Sequence, residues 1–249
     1  MKESRQATFF DHLEELRRRL LVCVGAWLFF FGLAFWYAPT LIRFFLHEAF
    51  RGIPGVNLYF FRPQEAFLLA LDTGAIGALL ATVPLILLEA VLFLFPGCTR
   101  RERRGMIAAT FASALLAVAG SAFGWFFLRP FCFNFFFALM DRFSGLLTPG
   151  VTLSMAIGTL SAIRLILTLI LACALAFQLP VVMLLLYYFR IVPRETLARS
   201  RPFMYPIILI AAAVITPPDV LSQILVSLPL IVLFEATLLI CRIFPVEAR

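Results

Sequence analysis

Lysine is nearly absent: Lys2 is the only one, so the 21 basic residues of this 249-residue chain are otherwise arginine. Charge of either sign is scarce, at 14% of residues against 63% hydrophobic, and the mean hydropathy is +1.00. A solvated globular surface cannot be built from that composition, which excludes a soluble domain and leaves an all-α, polytopic membrane protein. The two histidines, His12 and His47, are isolated, and the five cysteines (Cys23, Cys98, Cys132, Cys173, Cys241) show neither a CxxC nor a metal-ligand spacing. Packing is therefore the expected role of the cysteines, and no catalytic residue, cofactor or metal is expected. A basic face for nucleic acid is missing too, because the arginines cluster between apolar runs, where they set topology and meet lipid headgroups. No cleavable signal peptide is expected, since the N-terminal charges are mixed in sign and the next apolar run reaches Tyr37 without a small-residue cleavage site.

What is present is six apolar runs, at about 20–37, 66–95, 106–128, 156–189, 203–216 and 220–241, each bounded by charge, proline or glycine. They predict a single bundle of six transmembrane helices over residues 1–249. The second and fourth exceed the roughly 20 residues a bilayer requires, and each carries an internal proline, Pro84 and Pro180, which predicts a tilt or kink. Helices 5 and 6 are expected to be short. The arginines fix the orientation: Arg5, Arg17 to Arg19, Arg100, Arg101, Arg103, Arg104, Arg190, Arg194, Arg199, Arg201, Arg242 and Arg249, with Lys2, fall on one side. Only Arg43, Arg51, Arg62, Arg129 and Arg142 fall on the other, so both termini are expected in the cytoplasm. Loops 96–105 and 190–202 are then cytoplasmic, and the long Phe-, Pro- and Gly-rich segments 38–65 and 129–155 are expected to form periplasmic caps with short helices.

The stretch Asp11 to Leu20, DHLEELRRRL, alternates acid and base directly before the first run. Phe9, Leu13, Leu16 and Leu20 recur at helical spacing, which predicts an amphipathic interfacial helix over 1–19, with Asp11 as N-cap and Glu14 in the capping-box position. Glu14–Arg18 and Glu15–Arg19 are i,i+4 pairs worth about 0.2–0.5 kcal/mol each. The arginines alone would serve orientation; the acids require a further reason.

That reason comes from a set of ordered motifs: HLEELRRRL, Pro63-Gln64-Glu65-Ala66-Phe67, Phe95-Pro96-Gly97 with Glu102 inside an arginine cluster, Phe177-Gln178-Leu179-Pro180, Arg201-Pro202, Thr216-Pro217-Pro218-Asp219 with Ser222-Gln223, and Pro229 with Phe234-Glu235. Together they resemble the TatC family, the polytopic receptor subunit of the twin-arginine protein translocase. The resemblance implies a cell inner membrane protein, not an enzyme, that binds the twin-arginine signal peptides of folded precursors and nucleates the translocation complex. It implies partners too: single-span TatA- and TatB-type subunits, other copies of the chain, and membrane lipids. It carries signal-peptide recognition onto Glu15 and Glu102, with Arg17 and Phe93 beside them. Carboxylates suit that task, because a guanidinium fork takes a carboxylate bidentately. The alternative class, a secondary transporter for a small solute, predicts inverted repeats and matched broken helices, and the sequence shows neither.

Ionisable and amide groups inside the runs are costly and mark paired or functional positions. Asp72 and Arg164, toward the outer ends of helices 2 and 4, suggest an ion pair or snorkelling. Glu89 in helix 2 and Gln178 in helix 4 are expected to share one polar patch that receives partner helices. The family usually has its carboxyl in helix 4 and its amide in helix 2; here the two are exchanged. The turn at Asp219 and Gln223 is read as a helix 5 stop and helix 6 cap that can also contact partners.

Overall fold

Hydrocarbon leaves no partner for an open peptide group, so a spanning chain must close its backbone hydrogen bonds in helices or a closed barrel, and the apolar runs here do so chiefly as helices. The structure, a computed structural model, describes residues 2–51, 57–94, 100–144, 156–216 and 220–243; within these, the side chains of 2–12, 94, 100–104, 141, 144, 156, 215, 221 and 222 lie outside the description. The helices are α1 (Lys2–Trp36), α2 (Ala38–Ala49), α3 (Glu65–Leu94), α4 (Arg100–Phe123), α5 (Arg129–Ser144), α6 (Thr159–Ala176), α7 (Leu179–Tyr188), α8 (Arg194–Arg199), α9 (Arg201–Ile215) and α10 (Val220–Ile243). Among the described residues five helical segments are long and apolar enough to cross a membrane, and Arg201–Val214 is a shorter apolar helix.

Four expectations change. The segment 1–19 is not a separate interfacial element but the first part of α1, since no proline or glycine precedes Gly25 to break the helix. Residues 129–144, expected to hold a separate short helix of the second cap, instead extend the preceding span: α4 continues into α5 through a π-helical turn, Gly124–Leu128, in which the Arg129 N–H bonds to the Gly124 carbonyl. Pro130 has no N–H to give to the Phe126 carbonyl, and the wider turn carries the helix past it. Helix 6 is not short. At 24 residues α10 spans about 36 Å, whereas α9, at 15 residues and about 22 Å, falls below the ~30 Å hydrocarbon core. The fold also holds one small sheet, in which β1 (Asn57–Tyr59) pairs in parallel with β2 (Ala156–Gly158) and ties the two cap segments together.

The prolines divide as their surroundings allow. α3 continues through Pro84, but the fourth run breaks into α6 and α7 ahead of Pro180. α6 is the centre of the bundle: Ile163, Ile166 and Leu169 are fully buried, and it meets α3, α4 and the π turn. It approaches α4 backbone to backbone, because Gly120 and Gly124, four apart on one face, face Cys173 and Ile170. α1 packs chiefly on α3, where Phe31 and Phe35 cover Gly74. Its other sides, with Leu20, Leu28, Phe29 and Trp36 exposed, are suited to lipid. Cys132, Cys173 and Cys241 are buried free thiols that fill core space. Hydroxyls within the spans are met locally: Thr73, Thr82 and Thr237 donate to carbonyls four residues back, at 2.8, 2.6 and 2.8 Å.

Candidate functional site

One turn of helix brings Glu15 and Arg19 of α1 onto the same face, and packing of α1 against α3 brings Glu89 to that face from 70 residues away. Arg19 bridges the two acids. Its Nε and Nη2 donate to Glu15 Oε1 at 3.1 and 2.5 Å, and its Nη1 donates to Glu89 Oε2 at 2.9 Å. The three side chains are 16–29% exposed, sheltered enough for charge-assisted bonds to hold but open to an approaching ligand. Beside them lies an open cavity of about 620 Å³ lined by Glu14, Glu15, Arg18, Arg19, Val22 and Glu89. Three carboxylates face two guanidiniums there. In a chain of net charge +7 this cavity is locally acidic, short by one cation.

The other residues expected from the sequence to take part in recognition lie outside this cavity or outside the description. Arg17 is exposed on α1 and does not line the cavity, and Phe93 is half-buried near the end of α3. Glu102 belongs to α4, but its side chain is outside the described residues, as are Cys98 and Asp219. Glu14 has no bond to Arg18 or to any other group among the described residues, so only the Glu15–Arg19 pair of the two expected i,i+4 pairs forms.

Glu89 and Gln178 do not form one polar patch. Gln178 is 5% exposed and spent on the helix break: its N–H turns to the Leu175 carbonyl at 3.0 Å, which frees the Ala174 carbonyl, and its own Nε2 fills that vacancy at 3.2 Å. The same Nε2 donates to the Ser113 carbonyl at 3.3 Å, and Ser113 Oγ donates to Gln178 Oε1 at 2.6 Å. With both amide protons and the carbonyl oxygen engaged within α4 and α6, and the side chain buried, the amide is committed to the bundle rather than to a partner helix. Glu89 lines the arginine-bearing cavity, bonded to Arg19, and shares no partner with Gln178 among the described residues.

Other polar groups act as inter-helix bolts. Arg164 Nε and Nη2 bond Asp72 Oδ2 at 2.9 and 2.6 Å, the ion pair expected between helices 2 and 4. Arg201 forks onto Glu235 at 2.8 and 2.7 Å, and Tyr205 Oη donates to the same carboxylate at 2.7 Å, joining α9 to α10. Gln223 Nε2 donates to the Leu209 carbonyl at 3.0 Å, a second tie between these helices. Glu65, the first residue of α3, accepts the Phe61 N–H at 3.0 Å and so ties the preceding segment to the start of the helix. The motif residues Glu65, Arg201 and Glu235 were visible in the sequence; their partners were not.

The fold and site define a polytopic helical membrane protein with an acidic, arginine-bearing cavity at the N-terminal end of its first span, and comparison with known proteins gives its family. The family model for the Sec-independent protein translocase protein (TatC) matches residues 11–229. The chain is 32% identical over 237 residues to the TatC of Rickettsia prowazekii (strain Madrid E), covering 94% of this chain and 92% of that protein. It is 30% identical over 235 residues to the TatC of Aquifex aeolicus (strain VF5), covering 94% of each. A crystal structure of the twin-arginine translocase receptor TatC in DDM superposes with a TM-score of 0.75 at 26% identity, covering 92% of this chain and 98% of that one. The chain belongs to the TatC family and is a multi-pass component of a Sec-independent protein translocase.

Proposed function

We propose that this chain is the translocase subunit that receives twin-arginine signal peptides of folded precursors, with Glu15 and Glu102 taking the arginine pair and Arg17 and Phe93 bordering them. The observation that carries the reading is the cavity beside Glu15, where carboxylates outnumber guanidiniums by one and Glu15 already accepts two charge-assisted bonds from a guanidinium, that of Arg19. Planar forks bind carboxylates with more geometric selectivity than an ammonium does, so such a site favours arginine over lysine. Both termini lie in the cytoplasm of a cell with this chain in its inner membrane, as the asymmetry of the arginines supports. The receptor then nucleates the translocation complex with single-span TatA- and TatB-type subunits and with further copies of itself. The thinned bilayer around the short α9 favours such helix association. The turn at Asp219 and Gln223 is one further place where partners can touch.

The test is a binding measurement with purified, detergent-solubilised protein and a signal peptide carrying Arg-Arg, compared with the same peptide carrying Lys-Lys. The arginine peptide should bind at least tenfold more tightly, and Glu15→Gln should erase most of the difference. Equal binding of the two peptides by the unaltered protein refutes the receptor reading.

A further inference from the structure

Arg19 is an arginine held where the proposed ligand arginine is to bind. It spends two donors on Glu15, both on Oε1, and a third on Glu89 Oε2. An incoming guanidinium that takes both oxygens of Glu15 must therefore dislodge Arg19 from one of them. A displaced arginine near hydrocarbon cannot be left without a partner. Glu89 is already bonded to it, and Glu89 Oε1 has no hydrogen bond among the described residues.

We propose that Glu89 is a positioning residue for signal-peptide binding: when a ligand arginine docks on Glu15, the Arg19 fork passes wholly to Glu89, which holds it off the site. This rests on the reading of Glu15 as an arginine acceptor. Charge decides the direction. Empty, the cavity has three carboxylates and two guanidiniums; with one ligand arginine it becomes neutral, with each of Glu15 and Glu89 matched to one fork. Without Glu89, Arg19 has only Glu15 to bond, and the vacant cavity is neutral before any ligand arrives. Arg19 then acts as an internal competitor. An amide at position 89 could not balance the displaced cation.

The experiment is a double-mutant cycle on the full chain in detergent, read by the dissociation constant of the Arg-Arg signal peptide, with the SDS unfolding midpoint of each variant measured alongside. Glu89→Gln should weaken binding about tenfold, the loss expected when one charge-assisted pair must be broken to admit the ligand. Glu89→Asp, which retains the carboxylate, should recover much of that loss. Arg19→Gln in the Glu89→Gln background should restore binding to within about threefold of the original, because the competitor is gone. If the double variant binds as weakly as Glu89→Gln, or if Glu89→Gln binds like the original while Arg-Arg is still preferred to Lys-Lys, the positioning role is overturned and the receptor reading stands. If the unaltered protein does not distinguish the peptides, both fall.

Discussion

Replacing Gly120 with alanine adds one carbon at the tightest place in the bundle. A Cβ there would lie 2.7 Å from the Cys173 carbonyl oxygen, 2.9 Å from Ala174 Cα and 3.0 Å from the Cys173 carbonyl carbon, all backbone atoms that cannot rotate aside. The shortest is about 0.7 Å inside the 3.4 Å at which ordinary contact begins, so α4 and α6 must separate. Inserting a carbon into a packed core in this way costs about 1–3 kcal/mol. The helix preference of alanine over glycine offsets part of it, by about 1 kcal/mol. Gly25→Ala is the control, since a Cβ at Gly25 has nothing within 4 Å and gains the same preference without the clash. The difference between the two variants therefore isolates the clash and amounts to about 5- to 150-fold in the unfolding constant. Gly124→Ala, whose Cβ would lie 3.0 Å from Ile170 Cα, should fall between them. Reversible unfolding in mixed SDS micelles, followed by circular dichroism, gives all three constants. Equal constants for Gly120→Ala and Gly25→Ala would refute the argument that backbone contact between α4 and α6 sets the spacing of the core.

Three further outcomes follow from the polar bolts. Gln178→Glu should destabilise the bundle by about 1–3 kcal/mol, because a carboxylate cannot donate to the Ser113 and Ala174 carbonyls; an unchanged SDS midpoint would contradict the assignment of Gln178 to the helix break. Tyr205→Phe removes one hydrogen bond to the Glu235 carboxylate and should lower the midpoint in the same assay, with no added effect in a Glu235→Ala background, where the acceptor is gone. Asp72→Asn should lower stability by leaving Arg164 without its carboxylate, and the exchange Asp72→Arg with Arg164→Asp should recover it; failure of the exchange while both single variants destabilise would mean that the orientation of the pair, rather than its charge, matters.

The chain's own sequence determines its setting, its spans and its kinship. Those signals are local: apolar run length is compared with bilayer thickness, arginine counts are compared between loops, and motif spacing is read along the chain. Prolines gave a less certain account, because Pro84 and Pro180 look alike in sequence while one is carried through α3 and the other ends α6. Helix limits at 19 and 128 were missed for a related reason, as charged or aromatic composition marks a membrane boundary but does not stop a helix.

Tertiary structure alone decided which side chains meet. α3 and α10 are apolar around most of their circumference, so no stripe in the sequence tells which face meets which neighbour. The rotation of each helix about its axis is instead set by close-packing contacts such as Gly74 under Phe31 and Gly120 against Cys173. That rotation separates Glu89 from Gln178, burying the amide against Ser113 and delivering the carboxylate to Arg19. Composition could place both groups within the membrane, but only packing could give one to the helix break and the other to the arginine cavity.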